Sequence, residues 1–409
     1  MKRGYQDLLH SYLATFPCVA LLGVRQCGKT TLLRTLPPKW KQLDLERRAD
    51  HAVVSRDPDA FFRLNPRHVA LDEAQVLPDL FPALRVAIDE HRTEKGRFVI
   101  TGSSSPALVR SVSESLAGRV GIIEMAPFSW EEVTATTGRD SLLRRLGHRK
   151  ARPAALIAGL KARGTPAKVQ EFWFRGGFPE PWLDPAPGFR ARWIEQYIQT
   201  YLLRDVKRLF PGLDEVRFRR FLEMLGGLSG RILNYAEVAR ALGVSQPTAR
   251  DYFAIAHGTF VWRSIPAYSG NVVKRVVKHP RGYLRDSGLL HALLRIPNAE
   301  ALLSHPQVGA SWEGTVVEEI FRQLNTIGLA ADGSYYRTGG GAEVDLVLEG
   351  DFGRVAVEIK HTSVVQPRDL KGLRDFVTEQ KARIGIVINN DVMARQYDDR
   401  LIGLPFSWL

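Results

Sequence analysis

Over residues 1–130 short apolar runs alternate with amphipathic stretches. Cys18-Val19-Ala20-Leu21-Leu22, Gln42-Leu43-Asp44-Leu45, His68-Val69-Ala70-Leu71, Arg97-Phe98-Val99-Ile100-Thr101 and Val120-Gly121-Ile122-Ile123 read as strands. Helices are expected from Thr31 to Leu36, from Asp57-Pro58 and over 79–91, which together predict an α/β domain with a parallel sheet. The pattern then turns helical. Ile194, Tyr197, Ile198, Tyr201 and Leu202 share one face of a helix over 193–210. Residues 234–242 and 246–256 read as two helices joined at Gly243-Val244-Ser245, with a strand beginning at Thr259. In the second of these helices Ala249, Tyr252, Phe253 and Ala256 face inward, which turns Gln246, Thr248 and Arg250 outward. The last hundred residues open with a helix over 312–324 whose apolar stripe is Val316, Val317, Ile320 and Leu324. Glu313 falls on that stripe; Glu318 and Glu319 point elsewhere. Two strands of period two follow, at 342–348 and 354–360, then a helix around 369–379 and a strand at 383–388.

Chemistry enters where the first strand ends. Gly23-Val24-Arg25-Gln26-Cys27-Gly28-Lys29-Thr30-Thr31 fits G-x-x-x-x-G-K-[ST] between a strand and a helix. A loop of this kind turns its backbone N–H groups toward phosphate, and the helix N-terminus adds positive charge. All nine residues are candidates to bind ATP, with Lys29 on the β- and γ-phosphates and the Thr30 hydroxyl on Mg²⁺. The third strand delivers Asp72-Glu73 at its end. Asp72 is placed to hold Mg²⁺ and Glu73 to polarise the attacking water. At the end of the fourth strand Ser103 is the candidate sensor of the γ-phosphate, with Thr101 as the neighbouring alternative. Arg119 and Arg204 are candidates to reach a neighbouring copy's nucleotide, although each has a structural reading, as a brace within its own domain and as a local ion pair. A kinase is disfavoured, because no base for a substrate hydroxyl stands out.

Composition changes this picture in one respect. Apolar content of 44% and charged content of 25% are those of a globular protein, with no run of membrane-spanning length. The 2 cysteines are too few for a disulfide framework or a zinc site and suit a cytoplasmic protein. The net charge of +13, however, is uneven. Residues 141–165 hold Arg144, Arg145, Arg149, Lys150, Arg152, Lys161 and Arg163 with no acid. Residues 271–285 hold Lys274, Arg275, Lys278, Arg281 and Arg285 with none either. Two such windows, one beside a helix-turn-helix pattern, point to DNA as a partner.

The C-terminal strands carry a second set. Asp345 lies on the first, and Glu358 and Lys360 share a face of the second. The order helix, strand, strand with D…ExK, helix, strand is that of a restriction-endonuclease-like core. Asp345 and Glu358 would bind Mg²⁺, Lys360 would hold the attacking water, and Glu313 would complete or orient the metal site.

Taken together these motifs resemble a family of prokaryotic AAA-type ATPases whose C-terminal region is a domain of unknown function. Besides the residues above, the resemblance is carried by Leu116-Ala117-Gly118-Arg119, Gly176-Gly177-Phe178-Pro179, Arg204-Asp205, Asp286-Ser287-Gly288-Leu289, Trp312-Glu313 and Tyr336-Arg337-Thr338. It implies ATP binding and hydrolysis, a winged helix and a nuclease-like C-terminal domain. Cys27 departs from the usual small or apolar residue, and the 141–165 stretch looks like an elaboration of this chain.

The expected organisation is a P-loop ATPase domain over 1–135 and a basic, loosely packed linker over 136–165. A helical region follows over 166–305 with a winged helix at 231–285, then a nuclease-like α/β domain over 306–409. The expected function is a Mg²⁺-dependent ATPase that drives a DNA-facing region, acting as a homo-oligomer. The rival is a nucleotide-switched regulator that binds protein partners and whose nuclease-like domain does not cut.

Overall fold

The computed structural model describes residues 1–103, 114–149, 151–210, 212–269 and 279–409. The chain forms two compact units. The first comprises residues 2–128 and 258–261, and the second residues 129–257 and 262–409 together with Met1.

The first unit is built on one sheet. Its strands are β1 (Cys18–Gly23), β2 (Lys41–Asp44), β3 (Val69–Asp72), β4 (Phe98–Ser103) and β5 (Val120–Met125), in the order β2-β3-β4-β1-β5. Every pairing is parallel, as the alternating pattern predicts. β1 is central and buried along its length, which is why its sequence is a continuous apolar run rather than an alternating one. Asp57 opens the helix Pro58–Leu64 by accepting from the Ala60 N–H at 2.8 Å, and Phe61 and Phe62 of that helix join the core. A helix the pattern does not predict, Tyr5–Thr15, packs on β1 and β5 through Tyr5, Leu8 and Leu9.

The second unit holds a two-stranded ribbon, β6 (Trp262–Ile265) with β7 (Arg281–Leu284), and a six-stranded mixed sheet. The sheet's strands are β8 (Asp332–Arg337), β9 (Glu343–Gly350), β10 (Gly353–Ile359), β11 (Ile384–Asn389), β12 (Arg395–Gln396) and β13 (Leu401–Pro405). They lie in the order β12-β13-β11-β10-β9-β8. β9 and β10 form the expected hairpin, and β11 adds to β10 in parallel. β8 and β13 lie outside the expectation. Each is buried against a neighbour through only part of its length or carries Gly and Pro, so neither shows a clean period.

Two expectations about packing are corrected. The stretch 136–165 is not a loose linker. Ser141 caps the helix Leu142–Leu146, whose three leucines are buried, and Leu156 of the helix Pro153–Ile157 is buried too. The helix Val308–Thr326 is also not one-sided. Glu318, Glu319, Arg322 and Gln323 are buried along with the apolar stripe, so the helix is wrapped nearly all round.

The glycines of the second unit show how its motifs meet. Gly176, with φ of 74°, and Gly177 end the helix Pro166–Arg175, and the Gly177 N–H donates to Asp286 Oδ2 at 2.8 Å. A Cβ on Gly176 would stand 2.2 Å from Asp286 Oδ1, and one on Gly288 would stand 2.1 Å from Arg175 O. Gly176-Gly177 and Asp286-Ser287-Gly288, 110 residues apart in sequence, are thus two halves of one close contact.

Candidate functional site

The ends of β1, β3 and β4 bring the first set of residues together. Gln26 and Gly28 take left-handed backbone, with φ of 67° and 97°, so the loop curls before the helix Lys29–Leu33 begins. A Cβ on Gly23 would stand 2.1 Å from Met125 O, so only glycine lets β1 leave the sheet beside β5. The buried Lys29 ammonium donates to Gly23 O at 3.1 Å and Val24 O at 3.2 Å, which holds it over the loop.

Thr30 Oγ1 donates to Asp72 Oδ2 at 2.6 Å. Thr101 Oγ1 donates to the other carboxylate oxygen, Asp72 Oδ1, and accepts from the Glu73 N–H at 3.2 Å. A single hydroxyl thus ties both members of the acidic pair to β4. Glu73 sits in left-handed backbone at φ 55°, an uncommon conformation for a carboxylate residue, and Gln75 Nε2 donates to its Oε2. Ser103 lies in register with Gly23, level with the start of the loop; its side chain lies outside the described atoms. The chemistry of the donor set suits Mg²⁺, since Thr30 and Asp72 present hard oxygens side by side.

Sequence reasoning missed two residues here. The buried Arg3 donates from Nη1 to Cys27 O at 2.6 Å and from Nη2 to Ala126 O at 2.7 Å, which fixes the back of the loop. No motif marks it. Glu46 lies two residues past β2, whose last residue Asp44 is in register with Asp72. Burial raises its pKa, as does the negative charge of Glu73, while Arg25, 4.0 Å away, opposes them. Cys18 is buried in the core and Cys27 is buried in the loop.

The two candidate arginines differ. Arg119 is bound bidentate to Asp89, at 2.7 Å through both Nε and Nη2, and so braces its own unit. Arg204 lies on a π-helical segment, Ile198–Asp205, and is exposed without an ion pair among the described residues.

The C-terminal set also converges, but on a cation the sequence reading placed elsewhere. Arg281, assigned there to an exposed basic run, is buried in β7. Its Nη1 donates to Glu313 Oε1 at 2.9 Å and lies 3.6 Å from Asp345 Oδ1, and its Nη2 donates to Glu343 Oε1. Tyr283 also donates to Glu313 Oε1. Asp345 Oδ2 accepts from the Ile359 N–H at 2.8 Å, and Lys360 Nζ pairs with Glu358 Oε1 at 2.7 Å. Burial, with the Asp345 charge second, pushes Glu313 and Glu358 each up to about 8. Among the described residues, no group of three or more His, Cys, Asp or Glu side chains is arranged to hold a metal ion.

The other basic expectations are corrected in the same way. Arg285 pairs with Glu318 at 3.2 Å, and Arg163 with Glu131 at 2.6 Å. Arg145 binds Asp140 at 2.7 Å and donates to the carbonyls of Ala155, Leu156 and Ala158. The acids lie just outside the windows that held none, or far along the chain. Arg149, Arg152 and Lys161 remain exposed. Lys150, Lys274, Arg275 and Lys278 lie outside the described residues. On the helix Gln246–Gly258, Gln246 and Arg250 face solvent as expected, and Thr248 is half-buried. No helix among the described residues is long and apolar enough to cross a membrane.

Comparison with known proteins bears on both units. A family model described as an AAA domain matches residues 15–134. Models described as domains of unknown function, DUF8612 and DUF4143, match residues 166–300 and 308–409. Loop, parallel sheet and family model together define a P-loop ATPase fold of the AAA type. The chain belongs to the family of the uncharacterized proteins Rv2008c of Mycobacterium tuberculosis and Mb2031c of Mycobacterium bovis. Each is 34% identical to it over 389 residues, which span 94% of this chain and 79% of theirs. Among solved structures, the Walker-type ATPase PABY2304 of Pyrococcus abyssi aligns with 72% of this chain and 95% of its own. Its TM-score is 0.44 and its identity 16%.

Proposed function

We propose that the chain is a Mg²⁺-dependent ATPase whose nucleotide state controls a DNA-facing second unit. The observation that carries the ATPase reading is the Thr101 hydroxyl, which joins Asp72 to the Glu73 backbone. It holds a metal-binding carboxylate and a water-polarising one in fixed relation. Lys29 and the loop N–H groups take the phosphates, and Thr30 with Asp72 would hold Mg²⁺, which would supply positive charge against the negative charge that develops on them. Glu73 orients a water and accepts its proton as the water oxygen bonds to the γ-phosphorus and the bond from that phosphorus to its bridging oxygen breaks, leaving ADP and phosphate. Thr101, rather than Ser103, is the better-supported polar partner of this pair. The exposed Arg204 is the better-supported candidate to act on a neighbouring copy in an oligomer, since Arg119 is held by Asp89.

The DNA-facing element is a winged helix made of the helices Tyr235–Leu242 and Gln246–Gly258 with the β6–β7 ribbon. Gly243, with φ of 64°, makes its turn, and Arg250 is placed for phosphate contact. The C-terminal sheet is read as restriction-endonuclease-like. A specific observation favours the regulatory alternative for it: the Arg281 guanidinium stands among the carboxylates that a metal would need.

ATP turnover tests the central reading. Glu73→Gln is expected to keep nucleotide affinity and lower kcat by about 10²- to 10⁴-fold, the usual scale for a general base. Lys29→Ala is expected to lose nucleotide binding. Wild-type hydrolysis that survives both substitutions would sink the proposal.

A further inference from the structure

The carboxylates of the C-terminal set do not fit a divalent ion while Arg281 is seated. Mg²⁺ takes its oxygens at about 2.0–2.1 Å in near-octahedral geometry. Here Glu313 Oε1 is shared by the Arg281 Nη1 and the Tyr283 hydroxyl, Glu343 Oε1 is taken by Arg281 Nη2, and Asp345 Oδ1 faces Nη1 at 3.6 Å. The other Asp345 oxygen is committed to the Ile359 N–H. Glu358 Oε1 is on Lys360, and Glu358 Oε2 is buried with no partner among the described residues.

The guanidinium is placed by rigid elements. β7 is paired with β6 along its length, from Trp262 against Leu284 to Ile265 against Arg281. On its other side Gly282 exchanges backbone hydrogen bonds with Gly230 and Arg231, at 2.7 and 3.1 Å. A Cβ on Gly282 would stand 2.0 Å from the Trp262 indole, so the strand is pressed flat on that ring. The Tyr335 ring lies 5.1 Å from Arg281 Cζ, and its hydroxyl donates to His279 O. A planar cation with five donors, aimed from a pinned strand into three carboxylates, is a built contact.

We infer that Arg281 is a resident cation that holds Glu313, Glu343 and Asp345 in place of a divalent metal, and that withdrawing it opens a metal site at Asp345 and Glu358. The inference rests on the nuclease-like reading of this sheet.

The test is Mn²⁺ binding to the full chain without nucleotide, counted from the free-ion electron paramagnetic resonance signal. The proteins are wild type, Asp345→Asn, Arg281→Gln and the double variant. Wild type and Asp345→Asn are expected to bind the same number of ions. Arg281→Gln is expected to gain one, and the double variant to lose it again. A wild-type site that disappears in Asp345→Asn overturns the inference whatever becomes of Arg281→Gln, and leaves the nuclease-like reading standing. Folded Arg281→Gln, with near-ultraviolet circular dichroism like wild type, that gains no site overturns it as well. DNA cleavage is scored separately in the same samples: a gained ion with no cleavage upholds the inference and counts against the nuclease-like reading.

Discussion

Single hydroxyls and rings decide much at this molecule's sites. Thr101 donates to Asp72 and accepts from Glu73, so Thr101→Val removes both bonds while keeping the side chain's size. Turnover is expected to fall about 10- to 100-fold with nucleotide affinity little changed, a transition-state loss of roughly 1.4–2.7 kcal/mol. A Ser103→Ala change that costs more than Thr101→Val would return the sensor role to Ser103. His291 makes a prediction of another kind. Its Nδ1–H donates to Phe174 O at 3.0 Å, and its Nε2 accepts from the Ser311 hydroxyl at 2.7 Å. Burial lowers its pKa to about 4, and Arg190 and His305 push the same way. Above pH 6.5 the ring is neutral in both folded and unfolded chains and contributes nothing to pH dependence. Between about 6.5 and 4 only the unfolded chain takes the proton, so stability falls with pH, by roughly 3 kcal/mol at the far end. Urea unfolding followed by tryptophan fluorescence reads this well, since only Trp40 of the 8 tryptophans lies in the first unit. His291→Gln is expected to flatten that part of the profile, and an unchanged profile would show that the ring does not titrate there.

At the scale of elements, legibility followed how local the determining contact is. Four strands of the first sheet and the β9–β10 hairpin were readable because burial on both faces or on one writes itself into successive residues, whereas β2, exposed or half-buried along its length, carries that signal only weakly. The phosphate loop was readable because nine consecutive residues form it. The helix Tyr5–Thr15 and its neighbour Arg3 were not, because what fixes them is carbonyls of Cys27 and Ala126, 24 and 123 residues away. The same holds for Glu318 and Glu319, whose burial depends on Arg263, Arg285 and the Trp130 N–H rather than on helix periodicity. Two glycines separate local from distant constraint experimentally. Gly227, inside the helix Glu215–Leu228, has nothing within 4 Å of a Cβ, so Gly227→Ala is expected to stabilise by about 0.5–1 kcal/mol. Gly288 would drive its Cβ to 2.1 Å from Arg175 O, so Gly288→Ala is expected to cost about 1–3 kcal/mol. Thermal melts of the two variants should shift in opposite directions.

At the scale of the molecule, the two basic windows overstate what a polyanion can meet, although the net charge of +13 already counts the acids that pair with them. Arg145, Arg163, Arg281 and Arg285 are each tied to an acid, three of them through carboxylates distant in sequence. Counting charge in windows cannot see such pairs, because the window breaks the bond between partners. The exposed Arg250, on the outward face of the helix Gln246–Gly258, has no acid tied to it among the described residues: its guanidinium lies 5.2 Å from the Tyr235 ring centre, which orients it without neutralising it. If that helix meets DNA, the salt dependence of binding reports the difference. Each phosphate neutralised contributes about 0.9 to the slope of log K against log salt. Arg250→Ala is expected to lower the slope by about that amount and to weaken binding to unrelated duplexes alike. Arg145→Gln, which removes an equal charge already bound to Asp140, is expected to leave the slope unchanged. Fluorescence anisotropy over a potassium chloride series measures both. Equal losses in the two variants would mean that binding follows overall charge and that the helix has no special part in it. No loss in Arg250→Ala would move the DNA contact off this helix altogether.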